Sequence, residues 1–243
     1  MKISKSWAVA RNDLDIFWKQ KYIVYSLIGL PITLSIGLPV ALYLILQHNS
    51  ISVSELEVVL DAFSFLFILL ASFLPTILAS YSFVGEKLEK NLEPMLATPT
   101  TDGELLLGKG LAAFLPSIVT TYVAAGVFMA LADRVSSGML GTYFPNPDIT
   151  ILLVAALPIS CAFSVEVNIL ISSLVSDLRA AQQLGILVLI PVGGLYVLAE
   201  KNFLSLDLTS FALISLLLIA ADMLLLYLSA VTFRREEILT KWK

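Results

Sequence analysis

The sequence is poor in the residues that most catalytic and metal chemistry uses. His48 is the only histidine among 243 residues, which excludes His-based metal sites and His-based nucleophile triads. Cys161 is the only cysteine, so no intrachain disulfide forms, and its place inside an apolar run suits a small core filler. Charged residues make up 14% of the chain, against about 25% in soluble domains. The first twenty-one residues lack an apolar h-region and carry Lys2, Lys5, Arg11, Asp13, Asp15, Lys19 and Lys21, which argues against a cleaved signal peptide. Long polar loops on one side are also missing, and with them a large outer domain.

What is abundant is apolar sequence, at 58% of residues and a mean hydropathy of +0.90. It is gathered into uncharged runs long enough to cross a hydrocarbon core, which takes roughly 20 residues at helical rise. The expected fold is an all-α polytopic membrane protein, one transmembrane domain over residues 1–243. Six spans fall at about 22–46, 57–84, 105–132, 149–176, 181–199 and 208–233. Before them, Ile3, Trp7, Ala10, Leu14 and Phe17/Trp18 recur at helical spacing, which predicts an amphipathic helix over residues 1–21 lying in the membrane interface.

Local signals set the boundaries. Ser54 to Glu57 and Thr101 to Glu104 fit the capping-box spacing, and Asn146-Pro147 reads as an N-cap followed by proline at the first helical position. Pro31 and Pro39 should kink the first span, Pro75 lies in the second and Pro158 in the fourth. Only Asp177 to Ala180 separates the fourth span from the fifth, which contains Pro191-Val192-Gly193-Gly194. With six spans, all of the fifteen Lys and Arg residues except Arg134 and Lys201 fall on one side. The positive-inside rule then puts both termini in the cytoplasm and the chain in the cell membrane.

The longest interior charge-dense stretch runs from Gly85 to Lys109, with a loop over residues 85–104. Its Gly103 to Lys109 portion nearly matches P-loop spacing but lacks the Ser or Thr that would hold magnesium, and its capping box makes it helical. Leu88, Leu92, Met95 and Leu96 fall on one helical face and Glu86, Glu89, Lys90 and Glu93 on the other, a surface suited to a partner offering basic and apolar groups. Deep in the spans, Glu166 and Asp222 are candidates for an ion relay, a substrate contact or a polar link between helices, and nothing local places them together.

The run Phe83-Val84-Gly85-Glu86-Lys87-Leu88-Glu89-Lys90-Asn91-Leu92-Glu93-Pro94-Met95-Leu96-Ala97-Thr98-Pro99, followed by Glu104 to Lys109, resembles the cytoplasmic signature of ABC exporter membrane subunits of the type-2 permease family. Asp177 to Gln183 and Phe233 to Leu239 resemble that family's turn between spans four and five and its C-terminal end, whereas Lys90-Asn91 departs from its usual Gly-Thr or Lys-Thr. The resemblance implies a separate ATPase subunit that binds ATP and Mg, no cofactor and no enzyme activity on this chain, and a second permease copy, usually as a homodimer. It also implies a coupling helix whose ATPase contacts include Glu86, Leu88, Glu89, Leu92, Glu93, Leu96, Thr98 and Pro99. Trp7, Leu14 and Trp18 would belong to an interfacial connecting helix, and neither a metal nor a nucleic acid is implied. On the residues alone, an ion-coupled secondary carrier using Glu166 and Asp222, or an intramembrane hydrolase, stays open.

Overall fold

A computed structural model describes residues 3–48, 51–88 and 100–200, together with positions 216, 219, 220, 222–225 and 227. Among these residues the chain is helical, with no strand. The elements are α1 (Ile3–Lys19), α2 (Lys21–His48), α3 (Val53–Leu88), α4 (Asp102–Leu140), α5 (Pro147–Ile151), a π-helical segment (Leu152–Ala156), α6 (Leu157–Leu174), α7 (Leu178–Gly185), a 3-10 turn (Ile186–Val188) and α8 (Leu189–Glu200). Among the described residues, four stretches are long and apolar enough to cross a membrane: Lys21–His48, Val53–Glu86, Asp102–Leu140 and Ile149–Leu174.

The central helix is α3, whose apolar stretch is 72% buried, against 22% for α2 and 28% for α4. It packs on α6 and α4, and α4 in turn carries α1 and α2. The exposure of α2 follows from its pattern: Ile23, Leu27, Pro31, Ser35, Pro39 and Leu42 form one narrow buried stripe at three- to four-residue spacing. Both prolines sit on that stripe, and the helix runs through them without interruption.

Residues 62–85 and 110–132 contain no charge. From Asp61 to Glu86 along α3 is about 38 Å at helical rise, somewhat more than the roughly 30 Å of a hydrocarbon core. The charged groups of α3 and α4 are therefore collected at the two ends of a column whose middle carries only hydroxyl polar groups. A chain of this construction is embedded in a membrane.

Several local expectations move. The box closing the start of α3 is Ser52-Val53-Ser54-Glu55, two residues before the expected one: the Ser52 amide donates to Glu55 Oε2 at 2.8 Å, and Ser52 Oγ accepts from the Glu55 amide at 3.4 Å. Ser52 wins because the helix already begins at Val53. The Thr101–Glu104 box is present in both directions, and Asn146 accepts the first helical bond of α5 from Thr150 at 2.9 Å. The fourth apolar stretch is not one regular α-helix. Pro158 cannot donate to the carbonyl of Val154, and a π-helical segment occupies Leu152–Ala156 on its N-terminal side. The fifth expected span is divided at Ile186–Val188. The sixth, about 208–233, lies outside the described residues except for the scattered helical positions between 216 and 227.

The amphipathic helix α1 forms, but its apolar stripe is split. Ser6, Ala10, Asp13 and Phe17 turn inward, while Ile3, Trp7 and Trp18 are exposed and Leu14 is half-buried. The reason is angular. Asp13 stands three residues after Ala10 and four before Phe17, so it shares their face, and the tryptophans flank that face instead of forming it.

Candidate functional site

The buried face of α1 docks at the junction of α3 and α4, where the sequence supplies one lysine and two acids. Lys109, in the second turn of α4, is fully buried. Its Nζ donates to Asp13 Oδ2 of α1 at 3.1 Å, to Glu86 Oε1 of α3 at 2.8 Å and to the Ser82 carbonyl of α3 at 3.0 Å. The ammonium also stands 4.7 Å from the centroid of the Phe83 ring, a favourable cation–π distance. Ser82 Oγ donates to the same Asp13 oxygen at 3.4 Å. Asp13 Oδ1 has no hydrogen-bond partner among the described residues.

The backbones are brought together by glycine. A Cβ on Gly108 would lie 2.6 Å from Val9 Cβ and 2.7 Å from the Ser6 carbonyl, so α1 crosses α4 at a point only glycine can occupy. A Cβ on Gly85 would run into the Tyr81 ring, which itself packs edge-on against Phe17 at 6.5 Å. The α1 helix is thus fastened on one side by aromatic packing and on the other by close helix contact, with the ion cluster between them.

Three buried charges in contact form a junction that resists partial opening. Each ion has lost its hydration, and removing one partner of such a group typically costs about 3–5 kcal/mol because the others stay buried without it. The arrangement also disposes of the near-match to a P-loop: α4 is helical from Asp102, and the Lys109 ammonium faces carboxylates instead of solvent.

Of the residues implied as ATPase contacts, Glu86 is 5% exposed and bonded to Lys109. Leu88 ends α3. Glu89, Leu92, Glu93, Leu96, Thr98 and Pro99 lie outside the described residues. Trp7, Leu14 and Trp18 lie on α1. Glu166 is half-buried on α6 and Asp222 is buried, and Glu166 Oε2 and Asp222 Oδ1 each lack a hydrogen-bond partner among the described residues. Asp13, Ser82 and Lys109 were not singled out as site residues from sequence. The available signal was Asp13 on the Ala10–Phe17 face and Lys109 as the last charge before a long uncharged run.

A second polar cluster lies at the other end of α3 and α4. Asp133 Oδ1 accepts from the amides of Tyr143 at 3.0 Å and Phe144 at 3.1 Å, and Tyr143 OH donates to Asp61 Oδ1 at 2.7 Å. Phe144 then packs edge-on to Phe128 at 5.9 Å. Burial, followed by the bond to Asp61, pushes the Tyr143 hydroxyl well above the usual phenol range. No family model matches the chain, and no curated protein matches it in sequence.

Proposed function

We propose that this chain is the membrane subunit of an ATP-driven exporter, moving its cargo across the cell membrane while a separate ATPase subunit binds and hydrolyses ATP. The observation that supports this reading best is the Lys109 junction. The start of the polar stretch that resembles a coupling helix is anchored on the described side. It begins inside the last turn of α3, which ends at Leu88 and contains Glu86, a residue tied through Lys109 to α4 and α1. A pull on residues 89–99 would therefore be delivered to three helices together.

In this reading the chain has six spans with both termini in the cytoplasm, and two copies flank the pathway. Closure of the paired ATPases on ATP moves both coupling segments and biases the permeases between inward-open and outward-open states. The bias can be no larger than the difference in affinity of the ATPase for the two states. Leu92 and Leu96 supply the apolar face of the docking segment, and Glu89 and Glu93 supply its acidic one. Glu86 acts from inside, holding the segment to the bundle. The test is to replace Leu92 and Leu96 by Asp and purify the chain from native membranes. Loss of a co-purifying ATPase is expected, and undiminished assembly would rule out the docking assignment.

A second reading, an ion-coupled carrier, is favoured by one observation: Glu166 Oε2 and Asp222 Oδ1 are both buried without a hydrogen-bond partner among the described residues. Transport that persists without ATP and collapses with the ion gradient would decide for it.

A further inference from the structure

The fifth apolar stretch is built as two helices on one joint, and we propose that Ile186–Val188 is a hinge on which α8 swings while α7 stays fixed. The inference stands apart from the proposed function, since it concerns neither the cargo nor the energy source.

The joint has an identifiable chemical cause. Pro191 has no amide hydrogen to give to the Leu187 carbonyl, four residues earlier, and its ring crowds that carbonyl. The chain passes through a 3-10 turn at this place, with the Leu189 amide bonding back to Ile186 and Leu187. A short 3-10 segment inside a longer helix has weaker bond geometry than its flanks and is a natural point of bending. Gly193 and Gly194 follow two residues after the proline and add no side-chain restraint.

The two sides of the joint differ in how closely the backbone is held, although each buries two residues and exposes others. On the α7 side, Gly185 presses its backbone onto α3 and α6: a Cβ there would overlap Asn168 Oδ1 and lie 2.7 Å from Thr76 Cγ2. Asn168 is itself fully buried and fixed, since its Nδ2 donates to the Ser164 carbonyl at 2.7 Å and to Thr76 Oγ1 at 3.2 Å. Those bonds settle which way the amide points, because exchanging its O and N would set oxygen against the Ser164 carbonyl. On the other side, among the residues whose burial is described, Leu187, Ile190 and Pro191 are exposed, while Val188 and Val192 are buried, Val192 against Phe65 and Ile68 of α3.

The pinned residue also carries an unused group. Asn168 Oδ1 has no hydrogen-bond partner among the described residues and is directed at Gly185, the last residue before the joint. A buried acceptor without a donor is destabilising. An α8 that swings and unwinds the turn can bring a freed backbone N–H to that oxygen, which supplies a second resting position for the joint.

The experiment uses the full chain in lipid nanodiscs, with Cys161→Ala and spin labels at Arg179→Cys and Gly194→Cys, both exposed positions on either side of the turn. Two distances are expected between the labels, the minor one at about a tenth of the population. Pro191→Ala restores the missing donor, and should collapse the pair to one distance and slow amide exchange at 187–189 by about tenfold. Asn168→Ala, which removes the waiting acceptor, should deplete the minor distance and leave the major one in place. A single distance in the parent chain that Pro191→Ala leaves unchanged would overturn the hinge, as would amide exchange at 187–189 no faster than in α7.

Discussion

The two ends of the α3–α4 column are closed by different chemistry. At one end Lys109, Asp13 and Glu86 are buried ions in mutual contact, and three helices meet on one ammonium. At the other, Asp133 and Asp61 hold a short loop by hydrogen bonds to two amides and a phenol, and the seal is completed by Phe144 on Phe128. The ionic end comes apart only as a whole, because any partial separation leaves charge in a dry site. The aromatic end can loosen in steps, each bond being worth about 1 kcal/mol. A membrane bundle arranged in this way is stiff where the polar segment is attached and compliant where the loop closes it.

The largest effect should come from Lys109→Met. It leaves two carboxylates buried together, and a loss of about 3–5 kcal/mol is expected in unfolding from mild detergent. Trypsin should then cut at Lys5, Arg11 or Lys19 of α1 in molecules whose remaining helices are intact. The triple replacement Lys109→Met, Asp13→Asn, Glu86→Gln should recover most of the loss, since the partners left behind are then neutral. If the triple variant is no better than the single one, the junction is held by packing, and the contrast between the two ends disappears.

Asp133→Ala should cost about 2 kcal/mol, because two amides lose a charged acceptor at once. Its signature is local, with faster amide exchange at Tyr143 and Phe144 and unchanged protection of α1. If α1 loosens as well, the two ends are one cooperative unit.

The smallest effect is expected of Tyr143→Phe, about 1 kcal/mol at neutral pH. Its pH dependence is more informative. The hydroxyl is held above the ordinary phenol range, first by burial and then by Asp61, so the folded chain keeps a proton that the unfolded chain gives up. The stabilisation is complete below about pH 10 and is lost as pH rises through the folded value. The parent chain should therefore lose protection of Phe144 in alkali faster than the Phe variant does. Equal loss in the two would remove Tyr143 from the closure.

Much of this architecture is legible in the sequence because membrane insertion depends on composition. The charge-free runs at 62–85 and 110–132 and the Thr101–Glu104 box announce α3 and α4 without tertiary information. The junction is harder to see, because Asp13, Glu86 and Lys109 are separated by 73 and 23 residues and read singly as surface charges. The hints are Asp13 on the Ala10–Phe17 face, Lys109 as the last charge before an uncharged run and Gly108 beside it, and none of them names its partner. Pro158 and Pro191 mark the right places for helix irregularity, but periodicity does not say whether a proline bends a helix, widens it to a π segment or divides it with a 3-10 turn. Ser52 displaced Ser54 as the cap because both offer a hydroxyl three residues before a glutamate, and the spacing alone does not choose between them.

The solitary cysteine acquires a practical meaning from its surroundings. Cys161 has no exposed surface and lies in the same apolar cluster as Leu157, Val165 and the buried face of α3. A thiol reagent therefore reaches it only when the helices part. The unaltered protein carries its own stopwatch: the rate at which Cys161 is alkylated in a lipid disc reports how often the bundle opens, with no engineered label and no competing signal from a second sulfhydryl.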